Sequence, residues 1–506
     1  VFGVLEGDAR VRAVVLLLGP LRASMASLYT LRRQVMRLRA VGKRVIGWLP
    51  GAGLPELYLA TACDEIAVPR SGHIAVLGLR AEVIFLKDAL DQVGIEADLE
   101  SIAEYKTTPD TFRRSGMTEP HRYMLNELLD SYYDVVVGSI AAGRGMTPDA
   151  VRDAIDAMPF GAQRAADRGL VDAVLYEDEL AAHLVQAARA DDGQDPRGLD
   201  ALTPFRVAAP WLKRTPRPTG RQAIGLVSVD GLMTMGRSMR PPLPMPVPFV
   251  QAQAGALSII QALRQAEANR SVAAVVMHVE TPGGSALASD LIWREVRRLR
   301  QRKPVVALMG AQATSGGYYI SAACDRIVAR PMTMTGSIGV WGGKFVIGGM
   351  LGKARVRTAE VRRGAMADMY SELLPFDDAQ RARVREDLET TYARFVAAVA
   401  EGRRTDVAGI EQVARGRVWT GAQARDVGLV DELGDFETAL ETARELAGLE
   451  PGGRSPVVRI LGRRGDTLPR PFADTEPGVQ WPFGALHALA REHIWALSPW
   501  ILRIGG

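Results

Sequence analysis

Apolar residues along this chain gather in short unbroken runs, and stretches with a 3.6-residue apolar rhythm separate them. In the second half the runs 274–279, 305–309 and 326–329 alternate with an amphipathic stretch at 289–302 and a compact apolar stretch at 318–323. Runs of this length predict buried strands, and the alternation predicts a β-α-β-α-β order, an α/β fold with a largely parallel sheet. The apolar run 223–229 predicts a strand leading into the series.

The pattern occurs twice. Arg12-Ala13-Val14-Val15 returns as Ala273-Ala274-Val275-Val276, and Ala62-Cys63-Asp64-Glu65-Ile66 returns as Ala323-Cys324-Asp325-Arg326-Ile327, both at an offset of 261 residues. Gly161-Ala162-Gln163 through Gly169-Leu170-Val171-Asp172 returns as Gly421-Ala422-Gln423 through Gly428-Leu429-Val430-Asp431. A period this long marks a duplicated domain, since solenoid repeats are far shorter. The first copy takes 1–188 and the second 222–450. Between them 189–221, rich in Asp, Gly and Pro, reads as a linker, and 451–506 remains as a tail. By the same offset Val1 matches Ala262, which lies behind the leading strand of the second copy. The duplication therefore predicts an upstream segment holding the equivalent strand.

Composition works by exclusion. The 506 residues are 47% hydrophobic and 24% charged, ordinary for a globular protein, and 62 basic against 58 acidic residues give no case for nucleic-acid binding. Two cysteines make no disulfide framework; Cys63 and Cys324 occupy equivalent places in the two copies and read as buried, unpaired small apolar residues. No uninterrupted apolar run reaches the roughly 18 residues that span a bilayer.

Candidate chemistry sits where the copies differ. In the second copy a strand runs into Glu280-Thr281-Pro282-Gly283-Gly284-Ser285, and Ala313-Thr314-Ser315-Gly316-Gly317 places a serine between a buried strand and a helix start. Either motif alone is also a plain turn or an N-cap. Together they suit a nucleophile, Ser315, with the Gly284 and Gly316 N–H groups as an oxyanion hole. A serine needs a base, and none of His73, His121, His183, His278, His487 and His493 has a catalytic setting; His278, inside a strand, reads as a core or sheet-face residue. Lysine is the alternative, because desolvation lowers an amine pKa from about 10.4 toward neutrality. Lys106 follows an expected strand at 99–105, where a solvated loop lysine is the plain reading.

The motifs Glu280–Ser285, Thr314-Ser315-Gly316-Gly317-Tyr318-Tyr319-Ile320-Ser321, Thr335-Gly336-Ser337-Ile338-Gly339-Val340 and Val418-Trp419-Thr420-Gly421 resemble, in order and spacing, signal peptide peptidase A, also called protease IV, of the long duplicated type. The resemblance implies tandem ClpP/crotonase-like domains and a serine endopeptidase with a Ser-Lys dyad. Ser315 would be the nucleophile and Lys106, in Glu104-Tyr105-Lys106-Thr107-Thr108-Pro109, the general base, with Ser337 orienting the lysine and Gly283 and Gly339 binding substrate. It implies no metal or organic cofactor. The substrates would be remnant signal peptides and other hydrophobic membrane-derived peptides, cut by a homotetramer at the periplasmic face of a bacterial inner membrane. The membrane anchor would lie in the missing upstream segment.

The internal comparison divides the same chemistry between the copies. Ser315 aligns with Leu54 or Pro55, Gly283-Gly284 align near Arg22-Ala23, and Lys106 aligns near Gly364. Neither copy holds a complete set, so an active site is expected between the repeats. The Pro- and Met-rich stretch 232–249 reads as an apolar loop at a membrane, a rim or, preferably, a subunit contact, and the Trp-rich tail 481–504 as an interfacial or docking helix. Rival readings are a crotonase-like acyl-CoA enzyme, which would need paired carboxylates, and an idle peptide-binding membrane scaffold.

Overall fold

The computed structural model describes residues 1–192, 202–212, 222–239, 252–450, 455–460 and 494–497. Most of the linker at 193–201 and 213–221, the loop from 240 to 251 and nearly all of the Trp-rich tail lie outside the described residues. The chain divides into two compact units: one of Val1–Arg80 with Tyr132–Arg217, the other of Ala81–Ser131 with Pro218–Leu502.

In the first unit the parallel strands Ala13–Leu17, Arg44–Trp48, Glu65–Val68 and Ala173–Val174 form one sheet in that order. Parallel neighbours need a crossover. The helix Met25–Ala40 supplies the first, its start fixed by Ser24 Oγ accepting from Ser27 N at 3.2 Å. The helix Leu54–Ala60 supplies the second.

The second unit carries a larger sheet, ordered Val418–Thr420, Met334–Gly336, Val305–Thr314, Val272–Thr281, Ala223–Asp230 and Val457–Arg459, with Arg326–Ala329 also on Val305–Thr314. All eight residues of Ala223–Asp230 are buried, as a parallel strand covered on both faces requires. Alternate side chains serve two cores: Val275, Met277 and Val279 on one face, Ala274 and Val276 on the other. The expected strands are present, and two of them continue beyond the apolar runs, to Thr281 and Thr314. The compact stretch near 318 is the helix Gly316–Ser321.

A six-stranded sheet lies in the same unit: Gln253–Gly255, Leu232–Thr234, Gly283–Ser285, Ile494–Leu497, Trp341–Val346 and Glu96–Ser101. Two expectations are corrected here. The start of the supposed apolar loop, Leu232–Thr234, is a strand with Leu232 and Met233 buried, because it pairs with Gln253–Gly255 and meets Gly284. In the tail, Ile494–Leu497 is a strand and not a helix; it pairs antiparallel with Gly283–Ser285 and Trp341–Gly342, and Trp495 stacks on Trp341. A short apolar run suits either element, and here a sheet offers it two partners.

The compact units cut across the sequence repeats. Residues 81–131, part of the first copy by sequence, belong to the second unit. Glu96–Ser101 pairs with Trp341–Val346 over six positions. Buried Asp98 accepts from Phe376 N at 2.7 Å and pairs with Arg381 at 2.8 Å. The expected strand at 99–105 is shifted to 96–101, because the chain turns at Ala103, whose φ is 70°.

The duplication itself is visible in matching bonds. Asp172 accepts from Ile66 N and pairs with Arg144, just as Asp431 accepts from Ile327 N and pairs with Arg403. Both arginines end 26-residue helices, Glu119–Arg144 and Asp378–Arg403. The preceding glycines press on the same place: a Cβ on Gly143 would lie 2.0 Å from Thr61 O, and one on Gly402 1.9 Å from Ala322 O. Gly402→Ala should therefore overpack the second unit and cost about 1–3 kcal/mol, read as a lower midpoint in denaturant. An unchanged midpoint would show that the helix has room to move.

Candidate active site

Ser315 joins the strand Val305–Thr314 to the helix Gly316–Ser321 in a strained conformation, φ 54° and ψ −111°. A non-glycine residue held there costs about 1–3 kcal/mol and persists only where its surroundings determine it. They do so from both sides: Ser315 N donates to Gly336 O at 2.7 Å, and Ser315 O accepts from Tyr319 N at 2.8 Å. The helix start is pressed onto the Thr281-Pro282-Gly283-Gly284 loop, since a Cβ on Gly317 would stand 2.7 Å from Thr281 Cγ2. Thr314 Oγ1 donates to Pro282 O at 3.2 Å. The two glycine loops named from the sequence are thus packed together.

Lys106 enters from the 81–131 segment of the same unit and is 1% exposed. Its Nζ lies 2.7 Å from Ser315 Oγ and 3.1 Å from Ser337 Oγ, and it donates to Ser337 O at 3.2 Å. Glycines make this approach possible. Gly416, at φ +82°, runs so close that a Cβ would sit 2.4 Å from Lys106 N, and one on Gly339 would meet Lys106 Cδ at 3.2 Å. Tyr105 N donates to Arg415 O at 3.1 Å, and Glu104 pairs with Arg415 at 2.9 Å. Burial holds the Lys106 pKa well below its usual range, because desolvation penalises the charged amine.

Of the residues singled out from sequence, Ser315, Lys106, Ser337 and Gly339 meet directly; the Gly339 carbonyl lies 3.4 Å from Ser315 Oγ. Gly316 opens a helix, so its N–H has no intrahelical acceptor. Gly284 stands in the abutting strand Gly283–Ser285, opposite Met233 on one side and Ala496 on the other, where only glycine fits, a Cβ being 2.0 Å from Met233 O. The Gly283 N–H is taken by Thr281 Oγ1 at 3.0 Å. The site was expected between the repeats; all these groups lie in one compact unit, because that unit takes its lysine segment from the first repeat.

His278 is a buried strand residue, its pKa lowered to about 3 by burial, so it stays neutral and apart from this chemistry. Cys63 and Cys324 are buried free thiols. Two features carried no role in the sequence: Gly416, which lies in no motif, and Glu280, the first residue of the Glu280–Ser285 motif, whose buried carboxylate accepts from Ala311 N and Gln312 N in the strand before Ser315.

One unit of these tandem ClpP/crotonase-like α/β repeats thus brings together a strained serine on a strand-to-helix turn, a buried lysine amine against its oxygen and two glycine segments, a setting that suits a serine peptidase. The chain belongs to peptidase family S49, whose model matches it twice, at residues 38–191 and 297–450. The chain is 29% identical over 463 residues to the chloroplastic serine protease SPPA of Arabidopsis thaliana, covering 91% of this chain and 67% of that protein. It is 28% identical over 450 residues to protease 4 of Haemophilus influenzae, covering 87% of this chain and 71% of that one.

Gly416→Ala should displace Lys106 and lower kcat by roughly 100-fold, the loss typical of a misplacement near 1 Å, with the circular dichroism spectrum unchanged. A variant at wild-type rate would show that the Arg415-Gly416 turn yields without moving the amine.

Proposed function

We propose that the protein is a Ser-Lys endopeptidase that cuts extended hydrophobic peptides, including remnant signal peptides released in a membrane. The observation carrying this reading is the buried Lys106 amine 2.7 Å from Ser315 Oγ. Neutral Lys106 takes the hydroxyl proton as Oγ attacks the peptide carbonyl carbon. The Gly284 and Gly316 N–H groups hold the developing oxyanion, a role worth about 2.7–4 kcal/mol per donor. The C–N bond breaks as Lys106 returns its proton to the leaving amine. Water then attacks the acyl ester, its proton passing to Lys106 and on to Ser315 Oγ. Ser337 holds the amine in line throughout, through its hydroxyl and its carbonyl.

Support for a peptide substrate comes from the sheet beside the serine. Between Gly283–Ser285 and Trp341–Gly342 the chain's own strand Ile494–Leu497 pairs antiparallel on both sides, so this slot suits an extended backbone, and a peptide substrate would take the place of that strand. Trp341 and the buried residues around it make one wall of the slot apolar. Membrane attachment at the periplasmic face of a bacterial inner membrane and assembly into a homotetramer complete the proposal, carried over from the resemblance to signal peptide peptidase A. Among the described residues no helix is long and apolar enough to cross a membrane.

The test is mass-spectrometric mapping of a fluorophosphonate adduct, with turnover of a Leu-rich peptide measured in parallel. Ser315 should carry the adduct in the wild type, and Ser315→Ala and Lys106→Ala should lose both adduct and turnover. Labelling that survives Lys106→Ala would remove the lysine as base, and no reaction in the wild type would favour an idle peptide-binding scaffold. Because burial lowers the Lys106 pKa, the neutral base is present from well below the usual lysine range upward. kcat should rise with pH through that lowered value and reach its plateau before about pH 10.4, where a free lysine titrates; a profile climbing to pH 10.4 would contradict the buried amine.

A further inference from the structure

The strand Val272–Thr281, which leads to Gly283-Gly284, and the strand Val305–Thr314, which leads to Ser315, do not run in unbroken register. Val279 faces Met309, but Thr281 faces Ala313. One residue, Glu280, therefore stands opposite three, Gly310, Ala311 and Gln312, and a bulge of this kind takes backbone N–H groups out of the ladder. Glu280 supplies the acceptors: Oε2 accepts from Ala311 N at 2.7 Å and Oε1 from Gln312 N at 3.1 Å. The fit is tight, since a Cβ on Gly310 would lie 1.8 Å from Glu280 Oε2. On its other side the Glu280 carbonyl accepts from Gly231 N at 2.9 Å. Ser315 follows three residues after the bulge, and Gly283-Gly284 follow three and four residues after Glu280.

We propose that Glu280 is a positioning residue: its carboxylate sets the bulge in the serine strand and so fixes the distance between the Ser315 oxygen and the oxyanion N–H groups. The inference rests on the Ser315 chemistry proposed above. It draws on a strong acceptor at both oxygens, which the ionised carboxylate supplies; protonation leaves only a weak acceptor at one oxygen, and a glutamine puts an N–H donor there. The charged groups facing Glu280 are Asp230, opposite it on the neighbouring strand, and Arg330. Burial raises the carboxyl pKa to about 7, with Asp230 adding to the rise and the two amide bonds and Arg330 opposing it. The carboxylate form, and with it the set bulge, is present above that pH and lost below it.

The experiment compares wild type, Glu280→Gln and Glu280→Ala in the full chain, by steady-state kinetics across pH, fluorophosphonate labelling rate, thermal melting and hydrogen exchange of the 309–314 segment. Both variants should stay folded, lose about 10- to 100-fold in kcat and in labelling rate, and keep KM within about threefold. The 309–314 amides should exchange faster. In wild type the acid limb of kcat should contain a group near pH 7 in addition to Lys106, and Glu280→Gln should lack that group. Variants that label and turn over like wild type would overturn the inference and leave the Ser-Lys reading standing, as would losses that merely follow unfolding. A wild type that never labels at Ser315 would overturn both.

Discussion

A lysine amine serves as a base near neutrality only while water is kept from it, and the surroundings of Lys106 answer to that requirement. Its lowered pKa has burial as its cause, so whatever wets the amine raises that pKa again and favours the charged form. Two of the walls are backbone: Gly416 lies against the Lys106 main chain and Gly339 against its stem, positions where any side chain would push the amine out. The polar contacts that remain are two hydroxyls and one carbonyl, which orient the nitrogen and supply no charge to restore the proton.

The same constraint explains the effort spent on the serine. With the amine fixed in place, the hydroxyl that meets it must come to it, and Ser315 does so at positive φ, held by Gly336 O and by the first turn of its helix. Ser337 also sits at positive φ, 51°, where its N–H donates to Arg417 O at 2.6 Å. Strain at both hydroxyl residues is carried by the sheet behind them, whose central strands are buried along almost their whole length.

Much of this was legible in the sequence because burial on both faces of a parallel sheet writes long apolar runs, and because a duplication shows each run twice. The serine and glycine motifs announced themselves by composition. What stayed hidden depends on pairing between distant segments. Nothing local in Glu96–Ser101 tells that it will join Trp341–Val346, and the plain reading of Lys106 as a loop residue yielded only to a family resemblance. Ile494–Leu497 was misread for the same reason: its strand character is conferred by neighbours about 150 and 210 positions earlier. Gly416 matters through what it lacks, which no motif records.

Because the compact second unit borrows residues 81–131, Lys106 and Ser315, which meet in it, are 209 positions apart along the chain. Synthesis at 5–20 residues per second separates their appearance by roughly 10–40 s. Throughout that interval Glu96–Ser101 has no sheet to join, since Trp341–Val346 is not yet made. The contact between Lys106 and Ser315 therefore waits until synthesis has passed residue 346.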